Sequence, residues 1–217
     1  MKRKSSLIDI SRTLFPGIAV WPGDTPLTIE TSLAKTDGAS VNLTTLTLST
    51  HTGTHADAPY HFHERGKTLD IVDLAPYWGP AQVVTVTKAA GPLYPEDFSH
   101  VDLRLAPRLL VHSQASTLDP AKFPDEFVYP SPELANYLGA HGVLLYGADA
   151  PSMDDASSTT LPGHHAMLAA GIAILEGLDL GPAPDGLYEL AALPLKIARG
   201  DGSPVRAVLR PWRRRHA

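Results

Sequence analysis

Cysteine is absent from all 217 residues, which excludes disulfides, thiolate nucleophiles and cysteine-bound zinc or iron–sulfur sites. Any metal would have to be held by nitrogen and oxygen. Long apolar runs are missing too: no stretch approaches the ~18 consecutive apolar residues of a membrane-crossing helix. The basic start, Met1 to Ser6, is followed by residues that include Asp9 and Arg12 rather than the apolar stretch of a secretory signal. A cytoplasmic protein with no membrane partner is expected. Positive charge is in short supply, with 18 Lys and Arg against 23 Asp and Glu and a formal net charge of −5. The run Arg213, Arg214 and Arg215 reads as a solvated tail, so no nucleic-acid partner is expected. Also lacking are a Gly-x-Ser-x-Gly elbow, a Gly-x-Gly-x-x-Gly fingerprint and a phosphate-binding loop, which removes the usual serine-hydrolase and nucleotide-binding plans.

What is present is ordinary globular material, 43% hydrophobic and 19% charged, enough for a packed core. Nothing marks a seam, so residues 1–217 read as one domain. The 20 prolines and 17 glycines are spread along the chain, which favours many short elements joined by tight turns. Eight branched-residue runs bounded by turn formers read as strands: Leu7–Ile10, Val41–Leu48, Gln82–Thr87, Arg108–His112, Val143–Tyr146, Ile172–Leu175, Leu187–Leu195 and Val205–Leu209. Two helices fit between them. One is capped by Ser131, opens on Pro132, turns Leu134, Tyr137 and Leu138 inward and stops at Gly142. The other starts near Thr160 and Pro162, turns Met167 and Leu168 inward and ends at Gly171. The fold class is α/β, strand-rich with a few short helices.

Residues 51–63 read His-Thr-Gly-Thr-His-Ala-Asp-Ala-Pro-Tyr-His-Phe-His, which places four of the ten histidines and an aspartate within thirteen positions. Nitrogen and oxygen donors crowd together in this way when a cation offsets their desolvation. Gly53, Pro59 and the threonines argue against a helix here. A fully extended segment would leave His51 and Asp57 roughly 20 Å apart at ~3.3 Å per residue. The chain must bend, and Gly53 is the natural place because it tolerates conformations closed to other residues. His51, His55 and Asp57 could then meet on one ion. Glu176 is a separate clue, a carboxylate inside the apolar stretch Ile172–Leu178 that either faces solvent or needs a partner such as a cation. His164 and His165 begin the second helix, and spacing alone leaves open which of them approaches Glu176.

Taken together, these residues resemble the metal-dependent cyclase-like hydrolases of the bacterial kynurenine formamidase type. The signature is His51-Thr-Gly-Thr-His-Ala-Asp-Ala-Pro-Tyr-His61. Supporting blocks follow in order: Asp9-Ile-Ser11, Trp21-Pro-Gly-Asp-Thr-Pro26, Gly147-Ala-Asp-Ala-Pro-Ser-Met153, Ile174-Leu-Glu-Gly177, Tyr188 to Leu195 and Pro204 to Arg210. The resemblance covers nearly the whole chain. It implies a swivelling β/β/α fold, a homodimer and two divalent ions, zinc or else manganese. One ion would be held by His51, His55 and Asp57, the other by Asp57, His164 and Glu176, with Asp57 bridging. The resemblance further implies His61 as the acid/base residue, Trp21 in an aromatic substrate pocket, and a small aryl formamide as substrate. A related cyclic-amide hydrolase of the isatin hydrolase type is the alternative, and a non-catalytic metal-binding protein on the same scaffold is the alternative from another class.

Overall fold

The computed structural model describes residues 7–212; Arg213, Arg214 and Arg215 lie outside them. Its strands are β1 (Ile8–Asp9), β2 (Thr28–Leu33), β3 (Leu43–Thr47), β4 (His55–Asp57), β5 (Trp78–Thr85), β6 (Gly91–Leu93), β7 (Arg108–His112), β8 (Val128–Pro130), β9 (Leu145–Ala148), β10 (Ala173–Glu176), β11 (Gly186–Ala191), β12 (Gly202–Pro204) and β13 (Val208–Pro211). The helices are α1 (Pro132–Ala140) and α2 (Pro162–Ala169). Nine strands form one mixed sheet in the order β1-β13-β11-β5-β7-β9-β10-β4-β12. Its centre, β5-β7-β9-β10, is parallel and its flanks are antiparallel. The ribbon β2-β3 and the pair β6-β8 stand apart from it.

A parallel centre is buried on both faces, so its strands carry near-continuous apolar runs instead of alternation. That is how Leu109-Leu-Val111 of β7 reads. Leu109 and Val111 join one core with Phe98, Leu134, Leu138 and Met167, beneath α1 and α2. Leu110 turns to the other face, against Ile10, Leu145, Leu175, Leu190 and Leu209. Arg108, buried at the start of β7, satisfies its guanidinium on the carbonyls of Ala75, Pro76 and Pro80.

All eight expected strands fall on observed ones, Arg108–His112 with the same ends and the other seven with shifted ends. The run Leu187–Leu195 leaves the ladder after Ala191, just ahead of Pro194, which has no N–H to donate. For α1, Ser131 Oγ accepts from the Leu134 amide at 3.1 Å, as expected of a cap. In α2, Met167 is fully buried while its neighbour Leu168 is only half-buried. Residues one apart on a helix point ~100° away from each other, so both could not face the core.

Candidate metal centre

Sheet register brings the first three groups together. In the antiparallel pair β4-β10, His55 lies opposite Glu176 and Asp57 opposite Ile174. Directly opposed residues project to the same face, as do residues two apart on one strand. His55, Asp57 and Glu176 therefore share a face. His51 joins them because the chain turns between it and β4, with Gly53 at φ 68°. His164 comes from the first turn of α2, whose backbone is capped by a residue far back in the chain: Asp154 accepts from the amides of Gly163 (2.6 Å) and His164 (3.1 Å). A side chain at Gly163 would put its Cβ 2.1 Å from the Met153 carbonyl oxygen, so only glycine lets the loop and helix approach this closely.

The resulting cluster is almost wholly inside the protein. His55, Asp57, His164 and Glu176 expose only 3–4% of their surface. Asp57 Oδ1 lies 3.0 Å from His51 Nδ1 and 3.4 Å from His55 Nε2, and Asp57 Oδ2 lies 3.5 Å from His164 Nε2. Glu176 stands 3.2 Å from His55 Nε2 through one oxygen and 3.4 Å from His164 Nε2 through the other. Close as they are, His55 Nε2, Asp57 Oδ2 and Glu176 Oε1 form no hydrogen bond. Their lone pairs are aimed at shared space and not at each other. A buried polar atom left in that state costs ~1–3 kcal/mol or more, and a cation bound between them removes the cost. Donors of His51, His55 and Asp57, and separately of Asp57, His164 and Glu176, lie within 4.8 Å of one another. Three imidazoles and two carboxylates suit a divalent ion such as zinc or manganese.

The opposite nitrogen of each ring is tied down. His51 Nε2 meets Asp201 at 3.1 Å, His55 Nδ1 meets the Gly53 carbonyl at 3.0 Å, and His164 Nδ1 meets Asp154 at 2.6 Å. Such outer partners fix ring orientation and tautomer for metal binding. Electrostatics agree with the geometry. Burial disfavours a charged ring at His55, but Asp57 and Glu176 outweigh it and push its pKa up to about 10. At His164 burial is likewise outweighed, by Asp154, Asp57 and Glu176, and its pKa is pushed up to about 12. For Asp57 burial alone would raise the pKa; His164, His51 and His55 hold it well below the usual carboxylate range. The same two carboxylates that favour positive charge on these rings, Asp57 and Glu176, would favour a cation.

Around this cluster is a cavity of about 530 Å³, lined by His51, His55, His61, His164 and Glu176 together with Trp21, Ile18 and Phe123. Trp21, 38% exposed, sits edge-on to Phe123 with ring centroids 5.1 Å apart. It opens the turn Trp21-Pro-Gly-Asp24, closed by the Asp24 amide on the Trp21 carbonyl at 2.9 Å. His61 stacks on His51 at 4.0 Å between centroids. Desolvation lowers the His61 pKa, against the pull of Asp57, which favours a neutral ring. His165, the neighbour that spacing could not separate from His164, is exposed and packs on Phe62 instead.

Sequence reasoning missed Phe123 of the cavity wall and two carboxylates behind the rings. Asp154 had a readable signal, a carboxylate ahead of a helix that opens on proline, but it stands eight residues before Pro162, too far for a local cap. Asp201 had none beyond a turn-like Gly-Asp-Gly. Asp149, also in the cavity wall, is already engaged by the amides and hydroxyls of Ser113 and Ser116.

Residues 8–155 match the Cyclase family model, more than half of the chain. The chain belongs to the Cyclase family. Compared with this Cyclase-family chain, a kynurenine formamidase from Salinibacter ruber is 47% identical over 206 residues, covering 94% of this chain and 97% of that protein. A solved structure described as a potential metal-dependent hydrolase with cyclase activity superposes with a TM-score of 0.81 at 27% identity, covering 94% of this chain and 96% of that one. Isatin hydrolase A from Labrenzia aggregata shares the fold, with a TM-score of 0.79 at 24% identity, covering 94% of this chain and 92% of that one.

Proposed function

We propose that this chain is a single-domain kynurenine formamidase that hydrolyses N-formyl-L-kynurenine to L-kynurenine and formate with the help of two divalent ions. The observation that carries the reading is the set of buried donor atoms, His55 Nε2, Asp57 Oδ2 and Glu176 Oε1, that have no hydrogen-bond partner, beside an aromatic-walled cavity lined by His55 and Glu176. The 47% identity to a kynurenine formamidase along nearly the whole chain supports the substrate. In this reading His51, His55 and Asp57 would hold one ion and Asp57, His164 and Glu176 the other, with Asp57 shared between the two groups. Zinc is the ion proposed, with manganese the nearest substitute for the same donors.

When bound, such ions lower the pKa of water toward ~7 and polarise a carbonyl. The chain's own groups do the rest. Trp21 and Phe123 form an aromatic wall that receives the aryl ring of the substrate. His61, kept neutral by desolvation, takes the proton given up as water attacks the formyl carbon. It then returns that proton to the aryl nitrogen as the C–N bond breaks, so the leaving group departs as a neutral amine. The remaining carbon leaves as formate.

The protein is proposed to work in the cytoplasm as a homodimer. The ribbon β2-β3 supports the dimer, because its directly opposed pairs Ile29–Leu46 and Leu33–Leu43 are all exposed, and a second copy would cover them. The deciding experiment is elemental analysis of the purified protein, paired with formylkynurenine hydrolysis before and after chelation. Bound divalent metal with chelator-sensitive turnover is expected. Full activity after the ions are stripped would overturn the reading. Isatin, assayed in parallel, tests for a cyclic-amide hydrolase instead, which would show turnover on isatin and none on the formamide.

A further inference from the structure

Asp201 belongs to neither ion-holding group, yet two histidines converge on it. We propose that Asp201 is the positioning carboxylate of His61, coupling the acid/base ring to the ring of His51; this rests on the reading of His61 given above. Asp201 Oδ2 lies 3.1 Å from His51 Nε2 and 3.7 Å from His61 Nδ1. Its other oxygen accepts from the Thr50 hydroxyl at 3.0 Å. The backbone is held as well: the Asp201 carbonyl accepts from the Ala58 amide at 2.8 Å, and Gly202 pairs with Asp57 across β12-β4. The carboxylate is therefore fixed to the strand that carries the centre of the site.

A carboxylate beside Nδ1 keeps the proton of a neutral imidazole on that nitrogen, leaving Nε2 as the atom that accepts and returns the reactive proton. The 3.7 Å separation is longer than a hydrogen bond, and catalytic contacts of this kind shorten once substrate is in place. His51 sets the direction of approach. Its ring lies at 34° to that of His61, and its Nε2 is already on Asp201, so the stacked pair presents two nitrogens to one oxygen. Asp201 meets His51 through the nitrogen turned away from Asp57, which separates it from the ion-facing side. The donors of His51, His61 and Asp201 are also close enough to hold a cation, so the test includes an ion count.

The test compares Asp201→Asn, His61→Ala and the double variant with the parent, all at saturating zinc, measuring formylkynurenine turnover and bound metal. The expected result for Asp201→Asn is the parent's ion content, a KM within about twofold, and a kcat lower by roughly 10–100-fold, the usual effect of removing an orienting partner. In the His61→Ala background the same change should have no further effect, because a residue that acts through His61 has nothing left to act on. Nitrogen-15 NMR of the zinc-loaded parent should find the His61 proton on Nδ1, and find it redistributed in Asp201→Asn. Equal losses in both backgrounds, or loss of an ion from Asp201→Asn, would overturn the proposal in favour of a structural or metal-holding role. A parent active on formylkynurenine with an unimpaired Asp201→Asn variant overturns this inference alone; a parent inactive on every aryl formamide overturns the reading beneath it.

Discussion

His55, Asp57, His164 and Glu176 are ionisable yet almost wholly buried, whereas Ile29, Leu33, Leu43 and Leu46 on the β2-β3 ribbon are apolar yet 40–51% exposed. The two regions depart in opposite directions from the rule that apolar groups go inside and charges outside. Their surroundings differ as well. Each ring is anchored through its far nitrogen, which fixes its orientation. The ribbon makes one cross-strand hydroxyl contact, Ser32 to Thr45, and belongs to no part of the main sheet. An unsatisfied polar cluster built to this geometric tolerance calls for a small, directional occupant. An exposed apolar surface calls only for area, and a second protein surface supplies it.

The contrast can be broken most forcefully at Asp57. Replacing it by Ala should deplete both ions and abolish turnover, since one carboxylate serves both groups; an Asp57→Ala variant with full metal content would refute the shared role. His61→Ala should keep its metal and lose roughly 10²–10⁴ in turnover, the usual worth of a general acid/base. Metal loss in that variant would move His61 among the ligands. Asp154→Asn alters the partner behind His164 together with the cap of α2 and should weaken metal affinity by roughly 10–100-fold, measurable by competition with a chromogenic chelator.

pH sharpens the same comparison. In the ion-free protein the pKa values of His55 and His164 are raised to about 10 and about 12 from an ordinary 6.5. A raised pKa stabilises the fold fully below 6.5, and the benefit is lost as pH climbs toward the folded value. The melting temperature of the chelated protein should therefore fall between pH 7 and pH 10. The ion-loaded protein, whose ring nitrogens hold metal in place of protons, should lack this loss, and its metal affinity should rise with pH because binding releases those protons. Identical pH profiles with and without chelator would contradict the assignment. The smallest effect belongs to the ribbon. Leu43→Glu should leave the fold within about 0.5 kcal/mol of the parent, as surface changes do, while shifting sedimentation of the proposed dimer to that of a monomer. An unchanged dimer would move the interface elsewhere.

Much of the sheet was legible because its central strands are continuous apolar runs whose composition alone demands burial. The helix α1 was legible for a similarly local reason, Ser131 and Pro132 at one end and Gly142 at the other. The strand β4 was not. It is three residues long and carries His and Asp, so no periodicity marks it; it is extended because β10 and β12 hydrogen-bond to it on either side. The strand β12 contains Gly202 and Pro204 and was hidden by the same dependence on partners. Of the site, the donor residues could be named from their crowding and from the interrupted apolar stretch at Glu176. The anchors Asp154 and Asp201 could not, because a carboxylate in a polar loop looks the same whether it faces water or a histidine.

By itself the sequence determined the chemistry on offer, nitrogen and oxygen donors with no thiol, and the local bend at Gly53 that a meeting of His51 with Asp57 requires. Only the tertiary structure decided between His164 and His165, turned Glu176 inward, and set Asp154 and Asp201 behind the rings. Those choices depend on strand register and helix docking between segments as much as 150 positions apart, as His51 and Asp201 are, and no local pattern of residues encodes such a distance.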